Sequence, residues 1–352
     1  MRFYFLIFTF TNMERTEISD LGEFGLIDRL TQNRDTVQSS TLLGVGDDAA
    51  VIDHFGRQTV VATDILIEGI HFDLAYTPLK HLGYKSVVVN LSDIYAMMAT
   101  PTQITVSIAF SNRFSVEALD ELYEGIHAAC KNYQVDLIGG DTSSSHKGLI
   151  LSITALGEVA PNKFVTRGGA KKGDLFCVSG TLGDAFLGLT ILEREKKIFL
   201  ESPGVQPDLE GKSHIVGRLL KPEPRRDVVE RLEALGIVPT SMIDVSDGLS
   251  SEVLHICKNS GCGAVIYEEK IPIHQEARDF AYQLEIDPTA CALSGGEDYE
   301  LLFTIPQSDW PRVQNETLFT VIGYVTEPEK KAVLFSKGGQ KHELIAQGWR
   351  HV

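Results

Sequence analysis

Residues 102–140, TQITVSIAFSNRFSVEALDELYEGIHAACKNYQVDLIGG, contain the pattern that decides the fold of the chain. The apolar and β-branched run at its start predicts a strand over residues 102–110. Residues 115–133 place apolar side chains at helical spacing behind Ser115, a candidate N-cap, so we expect a helix there. A further apolar run predicts a strand over residues 135–139. Strand, helix and strand in succession indicate an α/β unit.

The same alternation continues on both sides of this unit. Strands are predicted over residues 58–64 and 149–159, and Pro, Gly and Lys in residues 160–174 then interrupt the pattern. Beyond that interruption we predict strands over 174–179, 264–268, 299–305, 319–325 and 331–336, a strand ending at Asp244, and helices over 184–196, 225–235, 247–259 and 274–284. For 352 residues, this alternation predicts an α/β fold with two α/β domains, residues 13–160 and 161–352.

The composition limits the classes of binding partner and the cellular compartment that we expect for the protein. A net charge of -16 argues against nucleic acid and anionic membranes as partners. The five cysteines show no paired CxxC spacing, which favours reduced thiols and the cytoplasm; Cys257 and Cys262 are close in sequence, but two soft ligands make a poor metal site. Residues 1–12, MRFYFLIFTFTN, are too short to span a bilayer, and we interpret them as an upstream extension or disordered tail, with a vestigial signal segment as the alternative.

Acidic residues recur where apolar runs end, in loops rich in Gly, Ser and Thr. The instances are GDDAAV (46–51), VVATD (60–64), VVVNLSD (87–93), LIGGDTS (137–143), MIDVSDG (242–248) and SGGEDYE (294–300). Because such runs predict buried strands, we expect each carboxylate where a strand leaves the core, at the edge where α/β proteins bind ligands. Gathered carboxylates repel one another unless cations hold them, and hard oxygen ligands suit Mg²⁺, which also takes phosphate oxygens. The pattern predicts a Mg²⁺-dependent site for a phosphorylated substrate.

Several of these residues also allow plainer interpretations. Asp64 could be a metal ligand or a strand end, and His71 could be a structural histidine. Residues 85–99, KSVVVNLSDIYAMMA, could instead be helical, with Asn90 and Asp93 on one face. An ordinary N-cap would explain Ser246 or Asp247 but not the neighbouring Asp244, and the helix N-terminus would also favour a phosphate.

The common phosphate-binding and nucleophile motifs are missing. The sequence has no GxxxxGKS or GxxxxGKT, no complete GxGxxG, no HRD or DFG, and no GxSxG. Arg167, at the start of RGGAKKGD, could reach a phosphate or be a solvated linker arginine. If the chain transfers phosphate, we expect catalysis to depend on bound metal ions and on the positioning of the substrates.

Eight motifs taken in order resemble those of the thiamine-monophosphate kinases. They are LGEFGLI, GDDAAV, TDILIEGIHF, NLSDIYAMMATP, GGDTS, VSGTLGDAFLGL, MIDVSDGLS and SGGEDYELLF, and the resemblance runs from about Met13 to the closing GWRHV. It places the chain in a superfamily with aminoimidazole ribonucleotide synthetase and selenophosphate synthetase. It implies an N-terminal α/β domain that pairs in a homodimer to form a barrel-like sheet, with a C-terminal α/β domain beside it. The implied reaction is direct in-line transfer of phosphate from ATP to thiamine monophosphate, giving ADP and thiamine diphosphate, the final step of thiamine diphosphate biosynthesis.

The resemblance also implies residue roles. The implied ligands of several Mg²⁺ ions are Asp48, Thr63, Asp64, Asp93, Asp141, Asp244 and Asp247, with Asp48, Asp93, Asp244 and Asp247 as the catalytic group. The implied ATP contacts are Tyr123, Gly140, Asp141, Arg167 and Ser246. The implied thiamine monophosphate contacts are His71, Glu297 and Trp349, although Trp349 could instead anchor the tail.

Other functions remain as alternatives. Selenophosphate synthetase would require a reactive cysteine near the N-terminus, and the hydrogenase maturation factor of this superfamily ends in cysteine. The first cysteine here is Cys130 and the chain ends in Val352, so both are disfavoured. A metal-dependent phosphohydrolase, or a nucleotide-binding module without turnover, would carry the same acidic loops.

Overall fold

Two sheets organise the part of the chain described by the computed structural model, residues 41–43, 47–54 and 56–346. The first sheet has the strand order β1-β2-β3-β6-β4-β5. Its strands are Thr41–Leu43 (β1), Ala50–His54 (β2), Arg57–Ile67 (β3), Thr100–Phe110 (β4), Asp136–Ser144 (β5) and Ile150–Val159 (β6). Neighbours are antiparallel except β4 and β5, which are parallel.

The second sheet is formed by the later part of the chain, in the order β13-β12-β9-β11-β7-β10-β8. Its strands are Leu175–Ser179 (β7), Ser241–Val245 (β8), Gly263–Tyr267 (β9), Glu300–Ile305 (β10), Phe319–Thr326 (β11), Ala332–Phe335 (β12) and Lys341–Glu343 (β13). Only β9 and β12 run parallel. Strands β8 and β10 are buried along their whole length.

Helices cover these sheets. They are Leu79–Ala96 (α1), Val116–Tyr133 (α2), Asp184–Glu201 (α3), Ser213–Leu220 (α4), Arg226–Ala234 (α5), Leu249–Ser260 (α6), Gln275–Gln283 (α7), Pro288–Ser294 (α8) and the short Trp310–Val313 (α9). Helix α2 begins as predicted, with Ser115 Oγ accepting a hydrogen bond from the Ala118 N–H at 3.3 Å. Within the described ranges, no helix combines the length and apolar character needed to cross a membrane.

Helix α1 lies at the centre of the fold. Most of its side chains are buried, and it packs against β3, β4 and β6, against α2 and against β8 of the second sheet. A helix that is apolar on all sides must be buried on all sides. Its close approach to α2 requires glycine, because a Cβ on Gly83 would lie 1.9 Å from the Leu122 carbonyl oxygen. Polar residues on α1 are therefore held inside the molecule, facing both sheets.

The α/β fold class is confirmed, while several element predictions are corrected. The run at residues 87–93 is part of α1, which confirms the helical alternative over the strand; period alone does not separate short buried strands from buried helices. Asp64 and Asp141 lie inside β3 and β5 rather than where strands end. Helices α4, α8 and α9 and strands β1, β2 and β13 were not predicted. Residues 1–12 lie outside the described residues, and the domain limits at 13–160 and 161–352 stay a prediction.

Candidate active site

Three carboxylates from distant parts of the chain converge at the centre of the molecule. The ligand oxygens of Asp48, Asp93 and Asp244 all lie within 4.8 Å of one another. Asp48 precedes β2, Asp93 projects from α1, and Asp244 lies near the end of β8. Because α1 contacts both sheets, it places Asp93 next to Asp48, which precedes β2, and Asp244, which lies in β8. We call Asp48, Asp93 and Asp244 the carboxylate triad.

Full ionisation of the triad without a bound cation is costly. Two negative charges 4.8 Å apart repel by about 3 kcal/mol at an effective dielectric constant of about 20. The pKa of Asp244 rises from 3.8 to about 7, first because it is buried and second because of the Asp48 charge. The pKa of Asp93 is raised well above 3.8 by burial and then by the charges of Asp64, Asp244 and Asp48. These shifts favour protonation or a bound cation.

Asp64 lies beside the triad and is tied to α1. Its backbone N–H donates to Asn90 Oδ1 at 2.9 Å, and Asn90 in turn donates to the Ser86 carbonyl at 3.0 Å. Burial raises the pKa of Asp64 to about 6. Asn90 therefore fixes β3 against α1, so that the Asp64 charge acts on Asp93.

Arg167 brings a positive charge to one side of the triad. Its Nη2 donates to Asp48 Oδ1 at 2.5 Å, and its backbone N–H donates to Asp47 Oδ2 at 3.0 Å. The pKa of Asp47 rises to about 6 through burial and then through the neighbouring Asp48 charge. The other oxygen of Asp48, Oδ2, is buried and has no hydrogen-bond partner among the described residues. This buried acceptor is available to a ligand.

The loop before α6 is held by Glu252, a residue that was missed in the sequence. Glu252 Oε1 accepts from the backbone N–H groups of Ser246 at 3.0 Å and Asp247 at 2.8 Å. The cap residue itself is Gly248, without a side-chain cap, so the N-cap interpretation of Ser246 or Asp247 is wrong. Burial, followed by the Asp247 charge, raises the pKa of Glu252 well above its ordinary value. The two backbone donors are thus already satisfied.

Residues 295–299 form a tight loop against the end of β8. The Glu297 N–H donates to the Ser246 carbonyl at 2.7 Å, and the Tyr299 N–H donates to the Val245 carbonyl at 2.9 Å. Glu297 and Tyr299 both have positive φ, 58° and 50°, a strained conformation that clusters at functional sites. Gly296, at φ 74°, has no room for a Cβ, which would lie 2.5 Å from the Ser246 carbonyl oxygen.

Lys85 holds the side chain of Glu297 from α1. Lys85 Nζ lies 3.1 Å from Glu297 Oε2 and donates to the Leu219 carbonyl at 3.0 Å, and Lys85 is only 4% exposed. Sequence reasoning missed Lys85 and also Ser92, whose hydroxyl donates to Asp244 Oδ2 at 2.7 Å. A lysine within a long apolar run was the available signal, since a buried charge requires a partner.

The remaining predicted metal ligands lie outside the triad. Among the described residues, Asp64, Asp141 and Asp247 are not within the 4.8 Å group. The Thr63 hydroxyl donates to the Ile153 carbonyl at 3.0 Å, on the face of β3 opposite Asp64, because side chains alternate along a strand. Asp141 is exposed on β5, at the edge of the first sheet.

The predicted substrate contacts also have defined positions. His71 follows β3, and its Nδ1 accepts from the Ile67 N–H at 3.0 Å. Tyr123 is half-buried on α2, and burial raises its pKa. Gly140, in β5, approaches β4 so closely that a Cβ would lie 1.8 Å from the Val106 carbonyl oxygen. Trp349 lies outside the described residues.

Comparisons with known proteins give the family of the chain. Residues 46–159 match the AIR synthase related protein, N-terminal domain, and residues 171–335 match the AIR synthase related protein, C-terminal domain. Thiamine-monophosphate kinase of Aquifex aeolicus is 34% identical over 95% of this chain and 99% of the relative. That of Escherichia coli K12 is 34% identical over 94% of this chain and 98% of the relative.

Solved structures give the same result. AaThiL complexed with AMPPCP and TMP is 31% identical, covers 97% of this chain and 100% of its own, and superposes with a TM-score of 0.81. The hydrogenase maturation protein HypE in complex with ATP is 19% identical over 94% of this chain and 97% of its own, with a TM-score of 0.67, and shares the fold alone. The full-length likeness and the two matched domains show that this chain belongs to the thiamine-monophosphate kinases, among the AIR synthase related proteins.

Proposed function

We propose that this protein transfers the γ-phosphate of ATP to thiamine monophosphate, giving ADP and thiamine diphosphate, at the carboxylate triad. The observation that carries the proposal is the convergence of Asp48, Asp93 and Asp244 within 4.8 Å in a buried centre. A buried group of like charges is costly unless a cation holds it, and phosphoryl transfer is a reaction that depends on cations held in this way. The relatives named above are thiamine-monophosphate kinases.

The residues present fit Mg²⁺. The triad offers hard carboxylate oxygens, and Asp48 Oδ2 is a buried acceptor without a partner among the described residues. Asp48, Asp93 and Asp244 would hold the metal, with Asp64, Asp141, Asp247 and Thr63 as the further ligands that the family resemblance implies. Bound Mg²⁺ would neutralise these carboxylates and stabilise the charge on the transferring phosphate oxygens.

The ATP contacts are proposed for residues around the triad. Asp47 holds the backbone of Arg167 and Asp48 holds its guanidinium, which would place the guanidinium near a bound phosphate. Ser246 would use its hydroxyl, since its N–H already donates to Glu252. Tyr123, Gly140 and Asp141 complete the implied set, and Asp141 is exposed on β5.

Thiamine monophosphate is proposed to bind at Glu297, with His71 and Trp349. Glu297 would complement the cationic thiazolium or the aminopyrimidine, and the Lys85 ion pair fixes the carboxylate orientation. Trp349 would stack on the cationic ring, an attraction of about 0.5–2 kcal/mol. We therefore expect Trp349→Ala to raise the KM for thiamine monophosphate and leave the KM for ATP nearly unchanged. An unchanged KM for thiamine monophosphate would remove Trp349 from the site.

The chemistry requires little proton transfer. The acceptor phosphate is already ionised near neutral pH, so its oxygen can attack the γ-phosphorus directly while the bond to the β,γ-bridging oxygen breaks. The protein's residues would hold donor and acceptor in line, which accounts for the missing nucleophile motifs. Asp93, on the rigid α1, would define where the two phosphates meet.

We further propose that the protein is a homodimer, formed through residues 13–160, in the cytoplasm. Support for the dimer comes from the first sheet, where Ile65 is 50% and Ile138 is 60% exposed. In the described ranges, no strand pairs with the outer edge of β5, and such an edge favours pairing with another chain. The described cysteines are all free, which suits a reducing compartment.

A coupled assay for ADP formation, with and without thiamine monophosphate, tests the proposed function. We expect ADP only when thiamine monophosphate is present, together with equimolar thiamine diphosphate. Free thiamine should not be a substrate, because it lacks the phosphate oxygens that the site would hold. Rapid phosphate release from ATP alone would indicate a phosphohydrolase instead, and nucleotide binding without turnover would indicate a binding module. In the same assay, substitution of a triad aspartate by asparagine should abolish ADP formation. The matched control is Asp53→Asn, at an exposed aspartate on β2.

A further inference from the structure

Two cysteines meet at the C-terminal end of α6, away from the carboxylate triad. Helix α6 has 12 residues, so this end lies about 18 Å along the axis from the end next to Asp247. Gly261 follows the helix in the left-handed conformation, at φ 62°. The Cys262 N–H then donates to the Cys257 carbonyl at 3.0 Å. This is the Schellman motif, which places the side chains of these two positions in contact.

Cys257 and Cys262 lie together at the helix end and differ in exposure. Cys257 is 7% exposed, whereas Cys262 is half-buried. The interaction of the two thiols lowers the pKa of Cys262 and, together with burial, raises the pKa of Cys257. Cys262 is therefore the stronger candidate nucleophile, and the more buried Cys257 is the candidate for the second attack. The other cysteines of the chain, Cys130, Cys177 and Cys291, are buried.

Both thiols line an open groove of about 370 Å³. Its walls include the apolar side chains of Leu254 and Leu344, and Lys331 and Glu343 form an ion pair of 2.8 Å at its rim. The volume is that of a small-molecule site, and the mixture of apolar wall and paired charges suits a peptide-like thiol compound. A small disulfide can therefore approach Cys262 directly.

We propose that Cys257 and Cys262 are a dithiol that forms an intramolecular disulfide by exchange with a small-molecule disulfide, such as glutathione disulfide. The Cys262 thiolate attacks one sulfur of that disulfide and expels a thiolate, leaving a mixed disulfide on Cys262. Cys257 then attacks Cys262 Sγ and expels the second thiolate. Two protein thiols are oxidised, one external disulfide is reduced to two thiols, and the leaving thiolates take up the two protons. The contact across the helix end keeps the two sulfurs together for the second step.

The test is incubation of the native protein with glutathione disulfide, followed by thiol counting and peptide mapping by mass spectrometry. We expect free thiols to fall from five to three, with one peptide pair linked through Cys257 and Cys262 and a mass lower by two hydrogens. Cys257→Ser should stop at a stable glutathione adduct on Cys262. Cys262→Ser should keep all its remaining thiols, because its other cysteines are buried.

Three results would overturn the proposal. The native protein could keep five free thiols, it could retain a glutathione adduct on Cys262 without losing Cys257, or Cys262→Ser could be oxidised as fast as the native protein. The mapping on the unmodified chain keeps the test decisive even if one variant fails to fold. Dithiothreitol must restore five free thiols, which separates a disulfide from irreversible oxidation.

Discussion

Replacing Asp244 by Asn should stabilise the metal-free protein while removing its activity. Asparagine keeps an oxygen that can accept the 2.7 Å hydrogen bond from the Ser92 hydroxyl, but it carries no charge. The folded-state pKa of Asp244 is raised, from 3.8 to about 7. A raised carboxyl pKa means that the folded state binds the proton more tightly than the unfolded state. The destabilising contribution of Asp244 is therefore absent below pH 3.8 and grows as the pH rises through the folded-state value.

The magnitude follows from that shift. A change from 3.8 to about 7, at about 1.4 kcal/mol for each unit, corresponds to about 4 kcal/mol when the group is fully ionised. The gain in the free energy of unfolding should thus be about 2 kcal/mol at pH 5 and about 4 kcal/mol at pH 8. Mg²⁺ should reverse the order, because the native triad can bind the ion and the variant has lost one ligand.

Urea unfolding in chelator at pH 5, 6, 7 and 8 measures this gain directly. Asp53→Asn is the control, since Asp53 is exposed on β2 and should change stability by less than about 0.5 kcal/mol at every pH. Two results would refute the argument that burial and repulsion of the triad carboxylates destabilise the metal-free protein. Asp244→Asn could be less stable than the native protein in chelator, or its increase in the free energy of unfolding could fail to grow with pH.

Three further predictions test the other parts of the site and the assembly. Asp93→Asn should lower kcat by at least about 100-fold while the circular dichroism spectrum shows an intact fold, and activity within a few-fold of the native enzyme would contradict the role of Asp93. Chelator should stop the native enzyme, and added Mg²⁺ should restore it. Lys85→Met should raise the KM for thiamine monophosphate about tenfold through loss of a charged hydrogen bond. Lys80→Met, also on α1, breaks an exposed ion pair with Glu124 of α2 and should leave that KM unchanged. Sedimentation should show a dimer at micromolar concentration that Ile65→Glu dissociates, and a native monomer would count against the dimer.

The carboxylates of the triad could be found from the sequence because each stands beside an apolar run. A charge in such a place requires a partner, whichever element carries it, so GDDAAV, NLSD and MIDVSDG were informative. For Asp93 the strand-end prediction was wrong and the helical alternative is confirmed, because Asp93 comes from α1. Glu252 and Lys85 were missed because their roles depend on a backbone or a side chain that packing brings near them.

The sequence by itself determined the alternation of strands and helices, the acidic character of the centre and the family. These properties depend on neighbouring residues along the chain, through side-chain period and local motif. Only the tertiary structure decided that three carboxylates lie within 4.8 Å of one another, that Asn90 ties β3 to α1, and that Cys257 and Cys262 share an open groove. Those relations join residues from separate elements, or depend on which side chains burial leaves accessible. Burial and charge repulsion act through space, and only packing fixes the distances over which they act.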